Sequence, residues 1–454
     1  MTLLLIFLGI ITFIITGLLF LKLFSNINFA LIEKLALSLL IGNTIIIFPY
    51  FYLYFFNIHE QKKITLSIAI LSCIYLIFLL YKIHKSSFKK ISSAWLKIKL
   101  SISSAKLIEK ILILILIFII IYAFIKILNQ PINTNDSLSY WTYYCKIFYF
   151  EKTIYSDAFT DKDRVLRAKD YPFFLSMTET YLLTIAGKYD DHSIKLLFSF
   201  YFLAFLIIFY YRIKIYAPTF MSLIYTTLLF SLPAFLREET GGISSAMADI
   251  PLTLFHTIAL LLFVSFLISK QHYYLIISSI LLSSTLFIKN EGIIIYLSFL
   301  LTCMLLWKKL DLPPKLTTLF FSLPIIINLP WFYFKFIIAH PLYSSNEIQL
   351  HPPSFILIPL KIIIYNFTNY KSWGAIWLIL FLFLFSIRKF KEPIPLFLLI
   401  FIILHWTAYI VIIMLLPFPT HLAMHRFLLH LLPEILWSFA LIHHFPYSKT
   451  KHQD

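Results

Sequence analysis

The stretch LFIKNEGIIIY, residues 286 to 296, decides how the chain divides. It interrupts a run of about thirty-five residues, Tyr273 to Trp307, that is otherwise almost wholly apolar. A membrane span needs ~20 apolar residues, so the run is too long for one helix and sufficient for two short ones. Left in hydrocarbon, a lysine and a glutamate each cost roughly 2.5 to 3.5 kcal/mol on insertion scales, so Lys289, Asn290 and Glu291 require a route to water or a function. Gly292 permits the positive-φ conformation that ends a helix. The stretch therefore reads as a tight hairpin whose tip lies at a membrane surface.

The whole chain follows this pattern. Of 454 residues, 60% are hydrophobic and 13% charged, with a mean hydropathy of +0.88, far from the usage of a soluble domain. The fold class is an all-α polytopic membrane protein. Helices are expected at 3–24, 33–56, 64–81, 109–128, 193–211, 219–236, 248–269, 273–289, 292–307, 317–339, 373–388, 395–416 and 427–445, thirteen spans in all. The first, with no basic n-region and no small-residue cleavage site, is a retained helix rather than a signal peptide. Cys73, Cys145 and Cys303 lie too far apart for a ligand-like spacing or a disulfide framework.

A net charge of +17 invites a nucleic-acid reading, but its distribution is topological and no nucleic acid is expected as a partner. The connector from Lys82 to Lys110 holds eight lysines and a single acid, Glu109, which assigns it to the cytoplasm. Alternation then places the short basic connections at Arg212 and Lys214, Lys270, Lys308 to Lys315, Arg388 to Lys391, and the tail on the same side. The opposite face collects 129–192, 237–248, the KNEG turn, 340–372 and 417–426. Residues 1–108 form an N-terminal three-helix part with its basic connector, 109–445 a membrane domain with the external loop 129–192, and 446–454 a cytoplasmic tail. Aromatic-rich helices in that loop, such as SLSYWTYYCKIFYF, are expected to lie at the interface.

Four clusters on the external face bear chemistry. In NTNDSLSYW, 133–141, Asp136 is either a carboxylate able to accept a proton or the N-cap of the helix that follows. In KDYPFFLSMTETYLLTIAGKYDDHSIKL, 169–196, Asp170 and Tyr171 precede a helix closed by Gly187, while Asp190, Asp191 and His192 read as metal-ligand chemistry or as a solvated turn. In REETGGISSAMADIPLTLF, 237–255, Gly241 and Gly242 allow close approach of a ligand, and Asp249 starts a helix where its charge also suits the macrodipole. In THLAMHRFLLHLLP, 420–433, Arg426 stands at the head of the last span with His421, His425 and His430 nearby, placed to snorkel to lipid or to hold a lipid-linked phosphate.

The order and sidedness of Asp136 with SLSYW, Asp170-Tyr171-Pro172 with Gly187, ADIPLTLF at 248–255, KNEG at 289–292 and RFLLHLLP at 426–433 resemble the GT-C superfamily of integral-membrane glycosyltransferases. The nearest likeness is to the bacterial protein O-mannosyltransferase and aminoarabinose transferase type, and it covers 109–445. It implies a GT-C-like fold in a bacterial inner membrane, with the active site facing the exterior. The partners implied are a polyprenyl-phosphate sugar donor, membrane lipids, and a lipid, glycan or protein acceptor. Asp136 would be the general base, Asp170 a second acid, Arg426 and Lys289 the phosphate contacts, and Glu291, Asp249 and Tyr171 further substrate contacts. A single displacement would invert the anomeric centre. Three extra helices precede the large loop, and the paired acid many members carry there is missing at Asp136, which lies between Asn135 and Ser137. No cofactor is assigned, and a divalent metal stays open. The rivals are a transporter or flippase, and a polymerase or ligase, of lipid-linked saccharides. A transporter would spread polar groups through helix interiors, whereas the charges in this sequence gather at one surface.

Overall fold

The long apolar runs fold as helices, because in hydrocarbon each segment must satisfy its own backbone groups. The computed structural model describes residues 1–24, 27–58, 60–86, 105–160, 171–239, 241–339, 357–374, 376–377, 391–415 and 421–444, and no strand occurs among them. The longer helices are α1 (Thr2–Leu21), α2 (Leu31–Phe55), α3 (Gln61–Ser86), α4 (Leu107–Asn129), α5 (Thr142–Glu151), α6 (Phe174–Ala186), α7 (Leu196–Lys214) and α8 (Thr219–Phe230). They continue as α9 (Asp249–Ser269), α10 (His272–Ile288), α11 (Glu291–Leu305), α12 (Pro314–Tyr333), α13 (Leu357–Thr368), α14 (Pro393–Leu415) and α15 (His421–His444). Nine helices among the described residues are long and apolar enough to cross a membrane, and α8, α10 and α11 are shorter apolar ones. These coincide with expected spans; the one at 373–388 lies mostly outside the described residues, as does the basic connector at 87–104.

Several boundaries differ for local reasons. The span expected at 219–236 stops at Phe230, because Pro233 cannot donate a backbone hydrogen bond and starts a separate turn, Pro233–Leu236. The final helix begins at His421, so Arg426 lies more than a turn inside α15 rather than at its head. α13, described from Leu357, falls in a segment read as a connection and packs on α15.

Within the expected loop 129–192, α6 is buried almost throughout and packs on α1, α2, α3 and α5. Its hydroxyls bond inward, Ser176 to the Trp141 carbonyl at 2.8 Å and Thr178 to Asn43 Oδ1 at 3.1 Å. The N-terminal helices thus cover α6 and share one hydrophobic core with the rest of the chain.

Charged groups gather at two opposite ends of this bundle. At one end Arg212 of α7 is paired with Glu33 of α2, donating from Nε at 2.6 Å, with its guanidinium 4.9 Å from the Phe29 ring. Ser265, near the end of α9, lies 3.4 Å from the same guanidinium. Asp249 starts α9, so sixteen residues, about 24 Å of helix, separate Ser265 from the other end. There Asp136, Asp249, Lys289 and Arg426 meet. The alternation expected from the loops places the Arg212 end in the cytoplasm and the Asp136 end outside. A periplasm-active reporter fused after Lys169 and a cytoplasm-active one after Lys97 are both expected to give signal; the reverse pattern would put every candidate residue on the wrong face.

Candidate functional site

Asp136 lies in the first turn of a helical segment that continues through the π turn Ser137–Trp141 into α5. Its carboxylate makes no capping bond. Instead it accepts a hydrogen bond from Arg426 Nη1, a residue 290 positions away. The capping reading is therefore wrong. Thr134, just before the turn, bonds Ser137 Oγ and the Ser245 carbonyl, and so anchors the segment without Asp136.

At the KNEG tip Lys289 is buried, while Asn290 and Glu291 are half-buried. Lys289 is 4% exposed and donates to Asp249 Oδ1 at 2.9 Å, while its ammonium lies 2.8 Å from Glu291 Oε1. Burial alone would lower the pKa of Lys289, but the carboxylates of Asp249 and Glu291 outweigh it and hold the ammonium above the ordinary lysine range. Gly292 does not take the positive φ expected of it. It belongs to α11, and a Cβ there would overlap the Thr285 carbonyl, so the glycine serves the close crossing of α10 and α11. Lys335 reaches across from the end of α12 to donate to Asn290 Oδ1 at 2.7 Å, which fixes the tip from the other side.

Asp249 is 1% exposed, and Gly241 explains how it fits. Gly241 has φ +78°, and a Cβ on it would lie 3.1 Å from the Asp249 carboxyl. The close approach at this glycine is thus to the protein's own carboxylate, and that at Gly242 is to the carbonyls of Arg237, Ala234 and Phe235, rather than to a ligand.

Tyr171, Lys289, Asn290, Glu291 and Arg426 line one cavity of about 280 Å³, closed on its apolar side by Ile294, Ile412 and Phe427. Tyr171 is held against Trp141 and Tyr140, with ring centroids at 5.2 and 5.5 Å. Two polar atoms of this group, Arg426 Nε and Glu291 Oε2, are buried without a hydrogen-bond partner among the described residues. An open cationic donor beside an open anionic acceptor suits a ligand carrying both a phosphate and hydroxyl groups. A separate cavity of about 310 Å³ opens beside Tyr54, Gln61 and Tyr149, and none of the candidate residues lines it.

Of the residues singled out in the sequence, Asp136, Tyr171, Asp249, Lys289, Glu291 and Arg426 come together here, and Asp170 lies outside the described residues. His425 is elsewhere, stacked on Trp373 at 4.5 Å. Asp190 accepts from the Ser193 N–H at 3.0 Å and Oγ at 2.7 Å, so the Asp190-Asp191-His192 string is a turn closed by its own first carboxylate. Despite partial burial, those bonds hold the Asp190 carboxyl below its usual range. No group of three or more metal-ligating side chains that could hold an ion occurs among the described residues.

Sequence reasoning placed His430 near Arg426 but missed Glu434, His256, His405 and Tyr409 beneath it. Glu434 of α15 is fully buried between His256 Nδ1 of α9, at 2.7 Å, and His405 Nδ1 of α14, at 3.3 Å. Above them, His430 Nε2 lies 3.4 Å from Asp249 Oδ1, and its Nδ1 is 2.9 Å from the Tyr409 hydroxyl. A signal was present: Arg426, His430 and Glu434 recur at four-residue intervals, which aligns them on one helix face, as His405 and Tyr409 align on α14. No protein-family model matches the chain, and no curated protein or solved structure matches it in sequence or fold.

Proposed function

We propose that the protein is a membrane glycosyltransferase that moves a sugar from a polyprenyl-phosphate donor to a hydroxyl acceptor at the outer face of a bacterial inner membrane, with a GT-C-like fold and inversion at the anomeric carbon. The observation that carries this reading is the guanidinium of Arg426, paired with Asp136 through Nη1 and with a buried Nε that has no partner among the described residues, on the wall of a cavity that also presents Lys289 and Glu291.

In this reading the donor phosphate takes the open edge of Arg426, with the Lys289 charge close by. A guanidinium bridging carboxylate and phosphate keeps base and leaving group several ångströms apart, which leaves room for the sugar carbon and the incoming hydroxyl between them. Asp136 removes the proton from the acceptor hydroxyl as the new C–O bond forms, and the electron pair of the breaking glycosidic bond leaves on the phosphate oxygen, stabilised by the two cations. Glu291 Oε2 accepts from a sugar hydroxyl. Asp249 holds Lys289 in place from below.

One observation favours a second reading, transport of a lipid-linked saccharide: Glu434, His256 and His405 lie inside helices, where a transporter keeps titratable groups. The experiment that separates the two offers purified protein a panel of polyprenyl-phosphate sugars with hydroxyl acceptors, in detergent and in vesicles. Transfer or release of sugar is expected with at least one donor. Movement of intact donor across the vesicle membrane, with no sugar released from any member of the panel, would replace the transferase by the transporter.

A further inference from the structure

Beneath the cavity, a column of polar groups descends into the helix bundle. Along α9, His256 lies seven residues after Asp249, and along α15 Glu434 lies eight after Arg426, in each case about 10 to 12 Å of helix. Glu434, His405 and His430 are 0% exposed and His256 is 2% exposed. The Nε2 atoms of His256 and His405 are buried and without a hydrogen-bond partner among the described residues. Tyr409 joins the two levels: its hydroxyl meets His430, and its ring lies 4.5 Å from that of His405.

Charge balance decides what this column must contain. The ion-paired groups from Asp136 down to Glu434 comprise four carboxylates, Asp136, Asp249, Glu291 and Glu434, against two permanent cations, Lys289 and Arg426. The upper three carboxylates share those two cations, both of which line the open cavity with Glu291. Glu434 has neither advantage, and its ion-pair partners among the described residues are the two imidazoles. Among the described residues the other helices packed on α15 or α14 bring no counter-charge to it; Lys308 and Lys309, in the short helix Trp307–Leu310 that packs on α14, are exposed. Tyr216, at the end of α7, belongs with the Arg212 and Glu33 group. Tyr225 of α8 packs on Phe439 and His444, farther along α15. α11 offers Glu291 at its tip and the thiol of Cys303, and α13 offers Lys361, which is exposed. An isolated negative charge at this depth costs far more than a carboxylate in water, and proteins avoid it by pairing or by taking up a proton.

We infer that His256, Glu434 and His405 form a proton-binding site inside the membrane, holding one proton more than a bare carboxylate between two neutral imidazoles, and that this proton enters from the external cavity by way of His430 and Tyr409. The two imidazoles bind the carboxylate through Nδ1, so the extra proton resides on one Nε2 or on Glu434 itself, and the site is neutral when filled. Filling or emptying it changes the charge two helical turns below Lys289 and Arg426. The electrostatic potential at an anion bound to those cations is then linked to protonation of the site.

The test uses the full-length protein in lipid vesicles, with isotope-labelled histidine and glutamate observed by solid-state NMR. At neutral pH one imidazolium among the buried histidines, or one protonated glutamate carboxyl, is expected, and that signal is lost in Glu434→Gln. Wild-type spectra with Glu434 ionised between two neutral imidazoles overturn the proposal, and that measurement does not require any variant to fold. Tyr409→Phe keeps the ring and removes the hydroxyl. It is expected to slow re-equilibration of the signal after a pH step applied at the outer face, and an unchanged rate overturns the route through Tyr409. No step of either measurement involves sugar transfer, so the result stands apart from the fate of the proposed activity.

Discussion

Asp136→Asn is expected to reduce sugar transfer by on the order of 10² to 10⁴, the usual contribution of a general base, with folding yield and Tm close to those of the unaltered protein. The asparagine carboxamide oxygen still accepts from Arg426, so the contact across 290 residues survives while the basicity is lost. A structural role for this residue would have shown as a capping bond, and the carboxylate makes none. Even the alanine variant should therefore lose little stability, since the pair it breaks is partly solvent-exposed, with side chains 32% and 18% accessible. Transfer rate and Tm are measured for both variants in the same detergent. Full activity in Asp136→Asn would remove the base from this position and direct attention to Asp170.

The other large effect is expected at the opposite end of the bundle. Arg212 and Glu33 are 1% and 3% accessible, so Arg212→Met leaves a glutamate buried without its cation. Removing one partner of such a pair typically costs about 3 to 5 kcal/mol, whereas replacing both by apolar residues of similar volume is often neutral. Arg212→Met is thus expected to lower the unfolding midpoint sharply, and adding Glu33→Leu to recover most of the loss. A single variant as stable as the parent, or a double variant no better than the single, would mean that the acid is neutralised by something other than Arg212.

How far the sequence could be read depended on which contacts are local. Apolar runs and basic connectors are local signals, and they located the described membrane helices and the end of the bundle at which Asp136, Lys289, Asp249 and Arg426 gather. Gly187, with φ +69° after α6, was legible for the same reason, since one residue determines that helix end. What failed was anything decided by a distant partner. Gly292 looked like a turn residue until the Thr285 carbonyl was found against it. Nothing local in α6 reveals that α1 and α2 cover it. Glu434 stood within a predicted span with no visible reason, because the histidines that hold it lie 178 and 29 residues earlier.

The Glu33–Arg212 pair also constrains how the protein is made. Its members are 179 residues apart, so at ~5 to 20 residues per second the ribosome adds Arg212 roughly 10 to 40 s after Glu33. Throughout that interval the acid lacks the guanidinium that pairs with it in the finished bundle. Its position makes the delay tolerable: Glu33 occupies the first turn of α2 and Arg212 the last turn of α7, so both charges can wait at the aqueous edge of the bilayer while the intervening helices insert. Closure of that end is consequently a late event in biogenesis, available only once α7 has left the translocon. A nascent chain released before that point would present an unpaired carboxylate at the membrane surface, the kind of mark by which quality control can tell an unfinished bundle from a finished one.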